Sequence, residues 1–190
     1  MERSLPLIFA VLASCLLAGC TAAPEAPSRR DGGTPARSAS GGDTPDRGRY
    51  GPDVIHLDGL RDIAFGETEA QLTRRGALLP QDAPCGPRLT GMSTVSPVFA
   101  DHRLVLLWVD PPVQTPEGIT IGTPVEQALR TYPDARRLYA PHGSYQFDGL
   151  LAIEGDRAYL FLHDGRTVRK TVAGYAEYAR RLFDDGFGAC

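Results

Sequence analysis

Hydrophobic and polar positions divide this chain into three stretches. Leu5 to Leu17 is an uncharged, mainly apolar run of thirteen residues. Residues 21–53 contain no Leu, Ile, Val, Phe, Met or Trp, and only Tyr50 is aromatic. From Val54 onward apolar residues return at spacings of two and of 3.6, the periods of packed strands and helices. One globular domain is therefore expected over residues 54–190, behind a segment that has too little apolar surface to offset its ordering entropy.

Within that domain the pattern echoes itself. Ile63-Ala64-Phe65-Gly66 matches Ile119-Thr120-Ile121-Gly122, an alternation that ends on glycine. Each glycine is followed by a predicted helix. In the first, Thr68 and Gln71 have capping-box spacing, Leu72 points inward and Gly76 is the stop. In the second, Thr123 is the expected cap, Pro124 the first helical residue and Glu126 the box partner, and Val125, Ala128, Leu129 and Tyr132 make one face. Pro133 ends it. The period then changes to two. Thr94–Phe99 and Leu104–Val109 read as strands, and so do Ser144–Ile153, Ala158–Leu162 and Thr167–Val172, the last two joined through the hairpin signal Asp164-Gly165. Tyr175, Tyr178, Ala179, Leu182 and Phe183 form a last helical stripe closed by Gly186. The expectation is an α+β fold: two tandem repeats of a short helix followed by an antiparallel β-meander (about 57–115 and 116–172), plus a C-terminal helix over about 173–186.

The first stretch supplies an address. Leu16-Leu17-Ala18-Gly19-Cys20 resembles a bacterial lipobox, with small residues before a cysteine that becomes diacylated and N-terminal. The apolar run falls short of the ~20 residues a spanning helix needs, as a lipoprotein signal peptide over residues 1–19 should. This implies a diacylglyceryl anchor on Cys20 (palmitate or a similar chain) and a cell-membrane location on the extracytoplasmic face. The alternative is an ordinary signal peptide with a chance cysteine. Residues 20–53 then form a Pro/Gly/Ser/Ala tether, reaching on the order of 30 Å as a coil.

Composition narrows the function classes. The net charge is −3, and the basic residues come as scattered pairs such as Arg74-Arg75 and Arg136-Arg137. No basic stripe exists, so a nucleic-acid partner is not expected. Cys15 leaves with the leader and Cys20 takes lipid, so Cys85 and Cys190 are the expected disulfide of an exported domain. Such a bridge is worth ~4–5 kcal/mol in the chain-entropy model before strain is subtracted. The alternative is two free thiols. Neither cysteine has a second ligand at zinc-site spacing, and no metal or other cofactor is expected.

The glycine-threonine or glycine-x-threonine turn ahead of each helix, followed by a meander and used twice, resembles the tandem-repeat fold of the β-lactamase inhibitor protein family. More distantly it resembles small outer-membrane lipoproteins of the SmpA/OmlA type, and many actinobacterial lipoproteins. The resemblance covers Leu57 to about Val172. It implies a shape, and an inhibitor of a secreted enzyme as one role, without transferring any contact residue.

Candidate chemistry is sparse. His56, His102, His142 and His163 have no metal-ligand spacing and read as loop or edge residues. Ser93, Ser96 and Ser144 sit in no nucleophile elbow. No enzyme is expected. Two runs are apolar at every position, Leu104–Val109 and Ala158–Leu162, whereas a one-sided antiparallel sheet should alternate. Either both faces are covered within the domain or one is a docking surface. Trp108, Tyr145, Phe147, Tyr159 and Phe161 would be its aromatic anchors. The function expected is thus a lipid-anchored, non-catalytic binding or envelope-associated module with an envelope or secreted protein partner. A surface-tethered enzyme with a loop-built site and a secreted-enzyme inhibitor are the alternatives.

Overall fold

The structure is a computed structural model that describes residues 51–79 and 86–186. The expected leader, Cys20, most of the tether and both partners of the expected disulfide, Cys85 and Cys190, lie outside the described residues. The described chain is α+β, with antiparallel sheets and a C-terminal helix.

It begins with three short strands, β1 (Ile55–His56), β2 (Gly59–Leu60) and β3 (Ile63–Ala64), which form a small antiparallel sheet. Its apolar residues Ile55, Leu60 and Ile63 are fully buried. Helix α1 (Glu69–Arg74) follows with the capping box intact: the Thr68 hydroxyl accepts from the Gln71 N–H, and the Gln71 side chain accepts from the Thr68 N–H. Strands β4 (Val95–Ala100) and β5 (Arg103–Val109) form a hairpin whose turn residues Asp101 and His102 have φ of 48° and 59°. Helix α2 (Val125–Thr131) precedes β6 (Arg136–Leu138), β7 (Asp148–Glu154), β8 (Arg157–His163) and β9 (Val168–Tyr175), and α3 (Ala176–Asp185) ends the described chain.

Strands β4 to β9 make one sheet in the order β4-β5-β9-β8-β7-β6, antiparallel throughout. One face carries Leu107, Val109, Leu150, Tyr159, Phe161 and Ala173, and packs against the small sheet, α1 and α2. The other carries Val98, Val105, Leu106, Leu151, Leu160 and Val172, and packs against Ala179 and Phe183 of α3. This explains the runs that are apolar at every position. Both faces are core, so β5 and β8 have no solvent side on which to place polar residues.

Close packing of α3 depends on Gly149 in β7. A Cβ there would lie 3.1 Å from the Phe183 ring and 3.2 Å from Leu160. The helix ends on Gly186 at φ 68°, in the left-handed cap expected of it.

The two glycine turns dock in the same way. Gly66 donates its N–H to the Leu104 carbonyl at 2.8 Å, Leu104 donates to Glu67 at 2.9 Å, and Glu69 donates to His102 at 3.0 Å. Gly122 donates to Val168 at 2.8 Å, Val168 to Thr123 at 2.9 Å, and Val125 to Arg166 at 2.9 Å. Both glycines hold a left-handed conformation, φ 88° and 93°, which a side chain disfavours.

Several expectations need correcting. Among the described residues two strands follow α1 and four follow α2, so the two meanders are unequal. Residues 144–147 are loop, and β7 starts only at Asp148. The Gln146 amide donates to the Phe183 carbonyl at 2.7 Å, which ties this loop to the end of α3 instead of to a neighbouring strand. The three-residue β6 had no apolar alternation to reveal it. Thr123 is not a cap: its hydroxyl accepts from the Thr120 N–H at 3.0 Å, and the N-cap position falls on Pro124 without a side-chain bond.

Candidate functional site

The five expected anchors share no surface. Tyr159 and Phe161 are buried on the face covered by the small sheet and α2, while Trp108 is half-buried on the α3 face. Phe147 is half-buried in the β6–β7 loop, and Tyr145 in the same loop is fully exposed. The parity that pairs Tyr159 with Phe161 is real, but it points both rings into the core. With Tyr159 and Phe161 in the core, the five do not form one docking face.

The expected loop histidines also separate. His102 stands in its turn, 3.7 Å from Glu69, and His142 is exposed in the β6–β7 loop. His163 is instead buried at the end of β8, where Nδ1 accepts the Gly165 N–H at 3.1 Å. Burial holds its pKa below the usual imidazole value, with Asp148 opposing and Arg137 assisting the shift.

Where Tyr159 does lead is a cleft of about 450 Å³ at the rim of its face. One wall is the β1–β2 turn, with His56 and Asp58, and the opposite wall is the end of β7, with Ile153 and Glu154. Tyr132, Tyr159 and Glu117 also line it. The sequence explains each placement. Tyr132 is the last residue of the α2 stripe, positioned by the helix above β8. Glu117 sits in a Thr-Pro-Glu-Gly turn closed by the Gly118 N–H donating to the Thr115 carbonyl at 2.9 Å. Tyr159 alternates with Leu160, so its ring enters this side of the sheet.

Both phenols are held. The Tyr132 hydroxyl donates to Glu117 Oε2, and the Tyr159 hydroxyl donates to the Ile55 carbonyl at 3.0 Å. Their rings lie 5.7 Å apart, and each stacks on Phe161, at 5.4 and 5.9 Å. Burial foremost, and then the hydrogen bond to Glu117, raises the Tyr132 pKa well above the ordinary phenol value. Tyr159 is raised by burial first, then by Tyr132, Glu117, Glu154 and Asp58. Both phenols stay protonated donors at neutral pH, so neither supplies a tyrosinate base. Three carboxylates and no Arg or Lys line the cleft. The arrangement can orient a ligand and attract positive charge.

Sequence reasoning placed Tyr132 on a core stripe and did not see Glu117, Asp58 or Glu154 as a group. The available signal was a hydroxyl-bearing aromatic at the exit of a helix stripe, followed directly by proline. The carboxylates come from a turn, a loop and a strand end, so no linear spacing connects them. Among the described residues no three His, Cys, Asp or Glu side chains are grouped to hold a metal ion, and no helix is long and apolar enough to cross a membrane. Compared with protein-family models, curated proteins and solved structures, the chain matches none.

Proposed function

We propose that this chain is a lipid-anchored, extracytoplasmic, non-catalytic binding module, and that its site is the Tyr132–Tyr159 cleft. The observation that carries the reading is the pair of phenols that line the cleft and are fixed by hydrogen bonds to Glu117 and Ile55. A site already ordered before ligand arrives loses little entropy on binding. Its polar side chains are three carboxylates, two neutral phenols and His56, and no Ser, Thr or Cys side chain lines it to act as a nucleophile.

The same reading takes the domain as two copies of one helix–hairpin unit, the second enlarged by β6 and β7. Three matched hydrogen bonds at each glycine turn support this. So do the register shifts at Val98/Phe99 in β4 and at Leu162/His163 in β8, which fall at corresponding places in their hairpins. The central strands β5 and β9 pair with Trp108 opposite Val172, which puts an approximate two-fold axis through that pair. The lipobox Leu16–Cys20 supports the anchor, and two acyl chains give stable attachment where one is marginal. Cys20→Ser is then expected to leave uncleaved precursor or released protein, and membrane retention equal to wild type rejects the anchor.

The site is tested by chemical-shift mapping of the full chain against butylamine, butyrate and butanol. Perturbations clustered on Tyr132, Tyr159 and Ile153 for at least one probe are expected. Perturbations confined to Tyr145 and the β6–β7 loop would move the site there.

A further inference from the structure

Resting on the reading of the cleft as the binding site, we propose that its occupant is a guanidinium or primary ammonium group carried by a peptide side chain.

Charge is the first argument. Asp58, Glu117 and Glu154 line the cleft, and His56 is its one basic group. The guanidinium nearest in the ladder is Arg157, the register partner of Glu154. It is turned away, bonded through Nη1 to Asp156 at 2.5 Å and stacked 3.6 Å above the Tyr175 ring. Among the described residues Glu154 makes no ion pair. A neutral occupant would dehydrate the Glu154 carboxylate without compensation, and an anion would be repelled.

The walls argue for an organic cation. The π-faces of tyrosine attract ammonium and guanidinium groups, and the half-buried Tyr132 contributes to the lining. Leu57, Pro116 and the exposed Ile153 offer apolar surface for the aliphatic stem of an Arg or Lys side chain. A bare divalent ion needs several converging oxygens, and among the described residues no three His, Cys, Asp or Glu side chains are grouped as metal ligands.

The peptide follows from the sheet edge beside the cleft. Strand β6 pairs only with Gly149, Leu150 and Leu151 of β7. Among the described residues no strand continues the ladder along Ala152, Ile153 and Glu154, which themselves line the cleft. An extended backbone can hydrogen-bond to such an open edge while its side chain turns into the adjoining cleft.

The test is a titration of the full chain, at low ionic strength, with acetyl-Val-Arg-Val-amide and with its citrulline counterpart, a neutral near-isostere. The arginine peptide is expected to shift Tyr132 and Tyr159 ring signals and the amides of Ala152–Glu154. Glu154→Gln, at an exposed position that leaves the core intact, should weaken it by roughly fivefold, the size of one partly exposed cation contact. The citrulline peptide should bind much more weakly. Equal binding of the two peptides, or binding unchanged in Glu154→Gln, overturns the cation while leaving the cleft as the site. Absence of saturable arginine-peptide shifts overturns the cation too, and the butylamine, butyrate and butanol mapping then decides the cleft separately. Shifts confined to other surfaces overturn both.

Discussion

The two glycine turns dock alike, but the segments that follow them differ at the places where Tyr132 and Tyr159 line a cleft. Ten residues after the first glycine the chain has Gly76, at φ 73°, and the same position after the second is Tyr132. Val95 and Tyr159 occupy corresponding places in β4 and β8, each buried against the same core. On the two-copy reading proposed above, the first copy has a glycine and a valine where the second has Tyr132 and Tyr159. The second uses two phenols there, adds β7 beside them, and carries Glu117 in the turn before its glycine. Shared features thus build the scaffold, and the differences build the site. A scaffold tolerates little change because its turns and packing are shared by the whole sheet, whereas a cleft at the rim can diverge without unfolding it.

The comparison breaks most visibly in the shared core. Phe161, fully buried beneath Tyr132 and Tyr159, should cost ~3–5 kcal/mol as Phe161→Ala in denaturant melts. Because both cleft rings stack on it, ligand shifts at Tyr132 and Tyr159 should be lost even where the variant still folds.

The glycine turns give the sharper contrast. An Ala in a left-handed position costs about 1–2 kcal/mol by itself, so Gly122→Ala, with nothing within 4 Å of its added Cβ, should lose about that much. At Gly66 the Cβ would also meet the Tyr175 hydroxyl at 2.7 Å. Gly66→Ala should therefore lose more, and equal melting midpoints for the two would contradict the contact.

A smaller difference lies in acid. Phe99 of the first unit corresponds to the buried His163 of the second. An unfolded histidine protonates near 6.5, while burial resists protonation in the fold. The stability that His163 retains above pH 6.5 is thus lost as pH falls from there toward its lower folded value. His163→Phe should show a shallower drop in melting temperature between pH 7.5 and 5.5 than wild type does. The smallest effect belongs to Tyr145→Ala. That side chain is fully exposed, so a change within about 0.5 kcal/mol is expected, with cleft binding unaltered.

Local signals in the sequence were strong where a few residues settle the outcome together. Thr68 and Gln71 specify a capping box, Asp164-Gly165 a hairpin, and the Tyr175–Phe183 stripe a helix. In each case the partners lie within one turn, so their geometry follows from spacing. The same reasoning misread Thr123, whose hydroxyl had a competing bond to Thr120 that spacing alone does not rank. It also extended the strand back to Ser144, because the pull of Phe183 on Gln146 comes from the far end of the chain.

By itself the sequence determined the α+β class, the positions of the three helices, the two glycine turns and the apolar strands that fill the sheet. These depend on periodicity and on contacts close along the chain. Only the tertiary structure decided that both faces of the sheet are covered, because burial depends on what α3 and the small sheet pack against. It likewise decided that Tyr159 is buried in the core and lines a cleft instead of a docking face. The cleft joins a β-turn, a loop, a helix end and two strands. Its charge is the sum of side chains far apart in sequence, and only folding brings them together.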